Sequence, residues 1–157
     1  LWAKIEGEKS VYGDITWMAF AGGKEEIPKK YADIFDVIVR ARDAAVQYLR
    51  DNLGSRPVHG YEVDDVCRRV IENAGYDKYF THRTGHSITT SEHGTGPNID
   101  NLETEDRRKL QQGHLFSIEP GIYMEQCGFR TEIDVLVNHE GAEVTTLPLQ
   151  TEIHPLL

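Results

Sequence analysis

Residues 82–94 read HRTGHSITTSEHG and gather His82, His86 and His93, three of the seven histidines in the chain, into one polar stretch. Glycine, serine and threonine surround them, so they do not read as an apolar face. Imidazole titrates near neutral pH and is the commonest metal ligand. Such a cluster serves a metal or a proton transfer, or it is a polar loop that happens to contain histidine. A second set of residues bears on the choice. Asp14 lies inside VYGDITWMAF, Glu119 inside FSIEPGIY and Glu132 inside FRTEIDVLV. Acidic residues are depleted in strand interiors, and a buried carboxylate is costly unless it is paired or bound to a metal. One such residue would simply point to solvent. Three, beside a histidine cluster, suggest a carboxylate-rich metal site. Oxygen ligands with one imidazole and no thiolate suit Mn, Co, Fe or Zn in a hydrolytic role. Two ions bridged by carboxylates would activate a water and clamp charge developing on a carbonyl oxygen. The remaining histidines would donate hydrogen bonds or move protons. The opposing reading puts each acid on an exposed strand face or pairs it with a neighbour, Arg130 with Glu132 for instance.

The elements that must position these groups follow from periodicity. Val11 to Ala21 is β-branched and aromatic and ends at Gly22-Gly23, which predicts a strand. Pro28 opens a helical pattern running to about Asn52, with Ile34, Val37, Ile38, Ala41, Ala45 and Tyr48 on one face. Gly54-Ser55-Arg56-Pro57 stops it. A second helix is expected from Tyr61 to Ala74, with Gly75 as its terminator. Residues 79–93 read as a strand or strand-loop, and residues 103–111 as a short exposed helix closed by Gly113. HLFSIEPGIYM and FRTEIDVLVN flank Glu125-Gln126-Cys127-Gly128 and predict an antiparallel hairpin. A last strand is expected over Ala142–Leu147. The resulting class is α+β, a mainly antiparallel sheet backed by two main helices.

Bulk properties narrow the function classes. The 157 residues are 39% hydrophobic and 27% charged, a globular composition for one domain with a real core. Formal net charge is −9, from 17 basic and 26 acidic residues, which disfavours nucleic acid as a partner. Arg107-Arg108-Lys109 follows Glu103, Glu105 and Asp106 and reads as a solvated helix face. No apolar run approaches the roughly 20 residues of a membrane span, so no membrane partner is expected. Cys67 and Cys127 form no C-x-x-C pair, and Cys67 reads as a small buried hydrophobe. The opening Leu1-Trp2-Ala3-Lys4-Ile5 has the character of a strand entered midway, so the chain is expected to be a piece of something longer.

Taken in order, Asp14 in GDIT, then HRTGH, IEPGIY and FRTE resemble metallopeptidase family M24, which contains methionine aminopeptidase, aminopeptidase P and prolidase. The resemblance covers nearly the whole chain. It implies the pita-bread fold, with residues 1–157 as the C-terminal portion of a single catalytic domain. It implies two divalent ions, Mn favoured over Co, Zn or Fe, and metal ligands at Asp14, His86, Glu119 and Glu132. Glu119 would also exchange the proton, and His93 would stand at the scissile bond. His82 and Arg130 resemble residues of the substrate pocket in the proline-specific branch, so Xaa-Pro bonds of a peptide or dipeptide are the expected substrate. A homodimer of the full-length protein and a cytoplasmic location are expected.

The sequence also departs from the family pattern. The family's first metal aspartate commonly lies eleven residues before the second, which here is Ala3. WAKIEGEKSVYGD reads as a slightly long hairpin, and the missing acid is expected upstream of Leu1. With that ligand absent, the chain by itself is expected to bind metal weakly or not at all and to be inactive. D-I-T-W-M replaces D-I-T-R-T, GHSIT replaces G-H-G-I-G, and His93-Gly94-Thr95-Gly96-Pro97 replaces H-E-x-P. Two rival readings are a metal-free hydrolase of the creatinase type and a protein-binding module without catalysis. The four retained ligand positions argue against both.

Overall fold

The computed structural model describes residues 1–91 and 93–157. Glu92, inside the 79–93 segment expected to be a strand or strand-loop, lies outside the described residues.

Two helices form as periodicity dictates. α1 (Lys29–Asn52) buries Ile34, Ile38, Ala41, Ala45 and Leu49 on one face, and its polar face carries Lys29–Asp33 and Arg40–Asp36 pairs one turn apart. It ends where Gly54 takes a φ of +86°. α2 (Gly60–Asn73) starts with the Glu62 carboxylate accepting the His59 N–H at 2.8 Å, a capping contact that satisfies a helix-end donor. Val63, Cys67 and Ile71 are buried in the core, and Cys67 is indeed a buried free thiol.

The helices back short strands: β1 (Trp2–Ala3), β2 (Gly13–Asp14), β3 (Ala19–Phe20), β4 (Ser87–Ile88), β5 (Leu115–Ile118), β6 (Gly121–Met124), β7 (Cys127–Arg130), β8 (Ile133–Val137), β9 (Ala142–Val144) and β10 (His154–Pro155). β4, β5, β8 and β9 make one antiparallel sheet in the order β4-β5-β8-β9. β6 and β7 continue the β5–β8 hairpin outward, turning at Glu125-Gln126 between Met124 and Cys127. β3 and β10 pair in parallel. The class is α+β, as expected. Phe116, Ile118, Ile133 and Val135 point from the sheet into the core under the helices. Among the described residues, no helix is long and apolar enough to cross a membrane.

Three expectations are corrected. Val11–Ala21 is not one strand. It pairs with β1 at Gly13–Asp14, bridges Glu132 at Thr16 and pairs with β10 at Ala19–Phe20, so its ladder changes partner twice. No helix forms over 103–111. Asp100 accepts the N–H groups of Leu102, Glu103 and Thr104, and Asp106 accepts those of Asn98 and Arg108. Carboxylates that capture backbone donors this way compete with the helix ladder. Arg108 pairs with Asp106 and donates to the Thr95 carbonyl, so it ties two loops together and is no helix face. The strand expected over Ala142–Leu147 stops at Val144: the Thr145 N–H still donates to the Asp134 carbonyl, but the Asp134 N–H donates to the Thr146 hydroxyl oxygen and the ladder goes no further.

Candidate active site

The site lies where the hairpin changes direction. The β5–β8 ladder ends at Ile118↔Ile133 and the β6–β7 ladder begins at Gly121↔Arg130. Glu119, Pro120, Thr131 and Glu132 fall in the break, so both glutamates leave regular pairing at the same level. Thr131 N–H still donates to Pro120, and Glu132 N–H donates across to Thr16 of the first segment. That second bond brings the N-terminal strand over the hairpin. Thr16 Oγ1 donates to Glu132 Oε2 at 2.6 Å, and Asp14 N–H donates to Asp134 Oδ2 at 2.9 Å.

The histidine stretch is held from the other side. On α2, Asp64 pairs with Arg68 and accepts the Thr84 N–H at 2.8 Å. Arg68 donates to the carbonyls of Phe80 and His82. A buried ion pair thus grips the backbone between residues 80 and 84. Glu119 N–H donates to Thr84 at 2.7 Å, His86 N–H to Ser117 Oγ at 3.0 Å, and Ser117 Oγ to Glu119 Oε1 at 3.1 Å. His86 and Glu119 are therefore set against each other by one serine.

These constraints bring Asp14, His86, Glu119 and Glu132 together, all buried. Asp14, His86 and Glu132 each offer one ligand atom, and these atoms lie within 4.8 Å of one another. His86 Nε2 is 3.6 Å from Asp14 Oδ2 and 3.4 Å from Glu119 Oε1, too long for good hydrogen bonds. His86 Nδ1 contacts the Ser87 carbonyl at 3.2 Å. A carbonyl oxygen only accepts, so Nδ1 carries the proton and Nε2 keeps its lone pair toward the carboxylates. That tautomer is the one in which a second contact orients a ligating imidazole. Burial also pushes the His86 imidazolium below its ordinary range, which keeps the ring neutral.

Three buried carboxylates this close repel one another. Burial, then the Glu132 charge, pushes Glu119 up to about 8. Burial, then Asp14, raises Glu132. Asp134 is pushed up to about 7 by burial, with Asp14 and Glu132 adding to the shift, and its Oδ1 is buried without a partner. A divalent cation fits such a donor set: hard oxygens, one prepared imidazole nitrogen and surplus negative charge.

The pH dependence follows. A carboxyl with a raised folded-state pKa holds a proton that the unfolded chain releases, so stability falls as pH rises toward the folded value. His82 and His86, both lowered chiefly by burial, act oppositely, but only below the ordinary histidine range of about 6.5. From about pH 6.5 to about pH 8 the acids act alone. Protein stripped of metal by a chelator should lose thermal stability across that interval, and manganese should restore it at the upper end. A melting temperature that is flat or rising in the chelated protein would contradict this account.

The other expected residues stand around the same cleft, whose volume is about 320 Å³. The His93 ring lies edge-on to His86 with centroids 4.4 Å apart. His82 Nδ1 donates to the Arg83 carbonyl at 2.7 Å, so its Nε2 accepts from the Tyr123 hydroxyl at 2.9 Å. Arg130 does not close on Glu132 as the opposing reading had it; Nη1 stands 3.7 Å from Glu119 and Nε donates to Thr16 Oγ1.

Four cleft-side residues were not singled out from the sequence. Trp2 and Arg83 line the cleft, with Glu103 3.6 Å from the Arg83 guanidinium, and Tyr123 anchors His82. Tyr123 was visible as the last residue of IEPGIY, and Arg83 as the second of HRTGH. Trp2 and Glu103 carried no signal, because only the hairpin register and the loop path bring them here. The register also places Trp2 opposite Asp14 and Ala3 opposite Gly13.

A family model described as metallopeptidase family M24 matches residues 3–139. An uncharacterized peptidase of Staphylococcus aureus (strain MW2) is 31% identical over 122 residues, covering 77% of this chain and 32% of that protein. A dipeptidase from Pyrococcus horikoshii OT3 superposes with a TM-score of 0.80 at 31% identity, covering 93% of this chain and 38% of that one. An Xaa-Pro dipeptidase from Bacillus anthracis superposes with a TM-score of 0.75 at 30% identity, covering 93% and 38%. The chain thus spans about a third of the length of the curated relatives it matches.

Proposed function

Because the chain belongs to metallopeptidase family M24 and carries part of the pita-bread fold, we propose that it is the C-terminal portion of the catalytic domain of a metal-dependent peptidase that releases the N-terminal residue of a dipeptide or peptide, preferring Xaa-Pro bonds. The observation that carries this reading is the convergence of Asp14, His86 and Glu132 within 4.8 Å, with Glu119 beside them. Asp14, His86, Glu119 and Glu132 would hold the metal, with manganese favoured by the hard oxygen donors. The resemblance implies a pair of ions; the residues gathered here suffice for one. When bound, the metal supplies Lewis acidity toward the carbonyl and lowers the pKa of water.

The chain's own groups do the rest. Glu119 would take the proton from the attacking water and return it to the leaving nitrogen. His93 donates a hydrogen bond to the carbonyl oxygen as charge develops on it. His82 packs between Phe80 and Tyr123, with ring centroids 5.2 and 5.3 Å away. That wall of flat rings suits a pyrrolidine. Arg130 offers a guanidinium, 43% exposed, to a substrate carboxylate.

The test is direct. Full-length protein supplied with manganese or cobalt should cleave Gly-Pro or an Xaa-Pro peptide, and chelation should abolish the reaction. Absence of cleavage, together with binding of creatine-like compounds or of a protein partner, would overturn the peptidase reading.

A further inference from the structure

We propose that Arg42, on α1, is a positioning residue for the metal site: its buried guanidinium ties the hairpin at Thr131 to the chain at Gln150 and so fixes the gap between the segments that carry Glu132 and Asp14. The proposal rests on the metal reading of those carboxylates and is independent of which bond is cleaved.

Arginine cannot be deprotonated in proteins, and its donors form a rigid planar fork. Burying such a group is costly unless those donors find partners. Arg42 is fully buried, so it touches no substrate. Asp43, next to it on the helix and half-exposed, accepts Nε–H at 2.8 Å, and Nη2 stands 2.7 Å from the same oxygen without hydrogen-bond geometry. The charge is therefore met at the helix itself, while the far arm of the fork reaches inward. Nη1 donates to Thr131 Oγ1 at 3.2 Å and to the Gln150 carbonyl at 2.8 Å, across 89 and 108 residues of chain.

Each of these two acceptors leads to a carboxylate of the site. Thr131 lies in the break between the two hairpin ladders and directly precedes Glu132. Gln150 is buried, and its amide stands in for a strand neighbour of Met18. Its Oε1 accepts the Met18 N–H at 2.7 Å, and its Nε2 donates to the Met18 carbonyl at 2.6 Å. Met18 continues the segment in which Thr16 bridges Glu132 and Asp14 lines the cleft. One nitrogen of Arg42 thus joins, from behind, the two segments whose separation sets the distance from Asp14 to Glu132.

The rival reading makes Arg42 a structural charge alone, and metal affinity separates the two. Full-length protein, stripped and then titrated with manganese, should bind about 10–100-fold more weakly as Arg42→Met, the range typical of partners that orient metal ligands. The visible spectrum of bound cobalt should change with it, because the ligand geometry changes. Thr131→Val, which keeps the shape and removes the acceptor, should also weaken binding, and Thr131→Ser, which returns the oxygen, should recover it. The losses in Arg42→Met and Thr131→Val should not add in the double variant. A structural role alone would lower the melting temperature and leave the folded protein's metal affinity and cobalt spectrum unchanged. Parental affinity in a folded Arg42→Met protein overturns the proposal, as do additive losses in the double variant. If Arg42→Met does not fold, the Thr131 pair decides, and equal affinity in Thr131→Val and Thr131→Ser overturns it. No bound metal in the parent overturns the metal reading and, with it, the proposal.

Discussion

Replacing Glu132 by alanine in the full-length protein is expected to remove bound metal and peptidase activity together. The carboxylate is buried and accepts the Thr16 hydroxyl at 2.6 Å, so its free oxygen is aimed into the cluster. Partners that merely orient metal ligands are typically worth about 10–100-fold in affinity or activity. A ligand itself should exceed that range. Stability should respond in the opposite sense once metal is absent. The deletion relieves like-charge repulsion on Glu119 and Asp14, so chelated Glu132→Ala should melt no lower than chelated parent. Metal content, turnover and melting temperature measured with and without chelator separate the two effects. Retained activity at low metal content would sink the ligand assignment.

Gly85→Ala should be the most damaging single-atom addition near the site. A Cβ at Gly85 would lie 1.8 Å from the Ser117 carbonyl oxygen and 2.7 Å from the carbonyl carbon. Neither is a flexible side-chain end, so the backbones must part by more than an ångström. The same two segments exchange the bonds that set His86 against Glu119, and Gly85 also exchanges bonds with Ile99 on its other side. The Cβ therefore cannot be relieved without opening a ladder. Overpacking of this kind costs about 1–3 kcal/mol or more. A displacement near an ångström in a catalytic constellation costs about 100-fold in rate. Metal affinity, turnover and thermal stability should all fall. Wild-type metal affinity in Gly85→Ala would show that the Gly85–Ser117 approach does not position His86. The glycine of T-G-H is thus required by the neighbouring backbone and has no need of an unusual φ.

Much of the site could be read from residue types because its members defy their surroundings. Asp14, Glu119 and Glu132 stand out as acids in strand-like runs, and a strand pattern makes such residues conspicuous. The two helices were equally legible, since Ile34, Ile38, Ala41, Ala45 and Leu49 repeat at helical spacing. What escaped depends on long-range register. Nothing in WAKIEGEKSVYGD says that Trp2 rather than Ala3 faces Asp14; the hairpin length decides it. The segment 103–111 misleads for a different reason. Glu103, Glu105, Arg107, Arg108 and Lys109 have respectable helix propensity, but Asp100 and Asp106 offer the backbone competing acceptors. Val11–Ala21 has the composition of one strand, yet its partners lie in β1, beside β8 and in β10, and composition does not encode a change of partner.

The bond from Thr16 to Glu132 spans 116 residues of chain, and that from Asp14 to Asp134 spans 120. Glu119 and Glu132, by contrast, are brought together by one local hairpin. The hairpin half of the site can close early, whereas Asp14 arrives only when distant parts of the chain have met. An ion shared by Asp14 and Glu132 would therefore work as a staple across a very long loop. In chain-entropy terms, a cross-link closing about 100 residues is worth roughly 4.7 kcal/mol. Loss of metal should then be felt first as a loosening of the N-terminal strand from the sheet, before the helices or the hairpin give way.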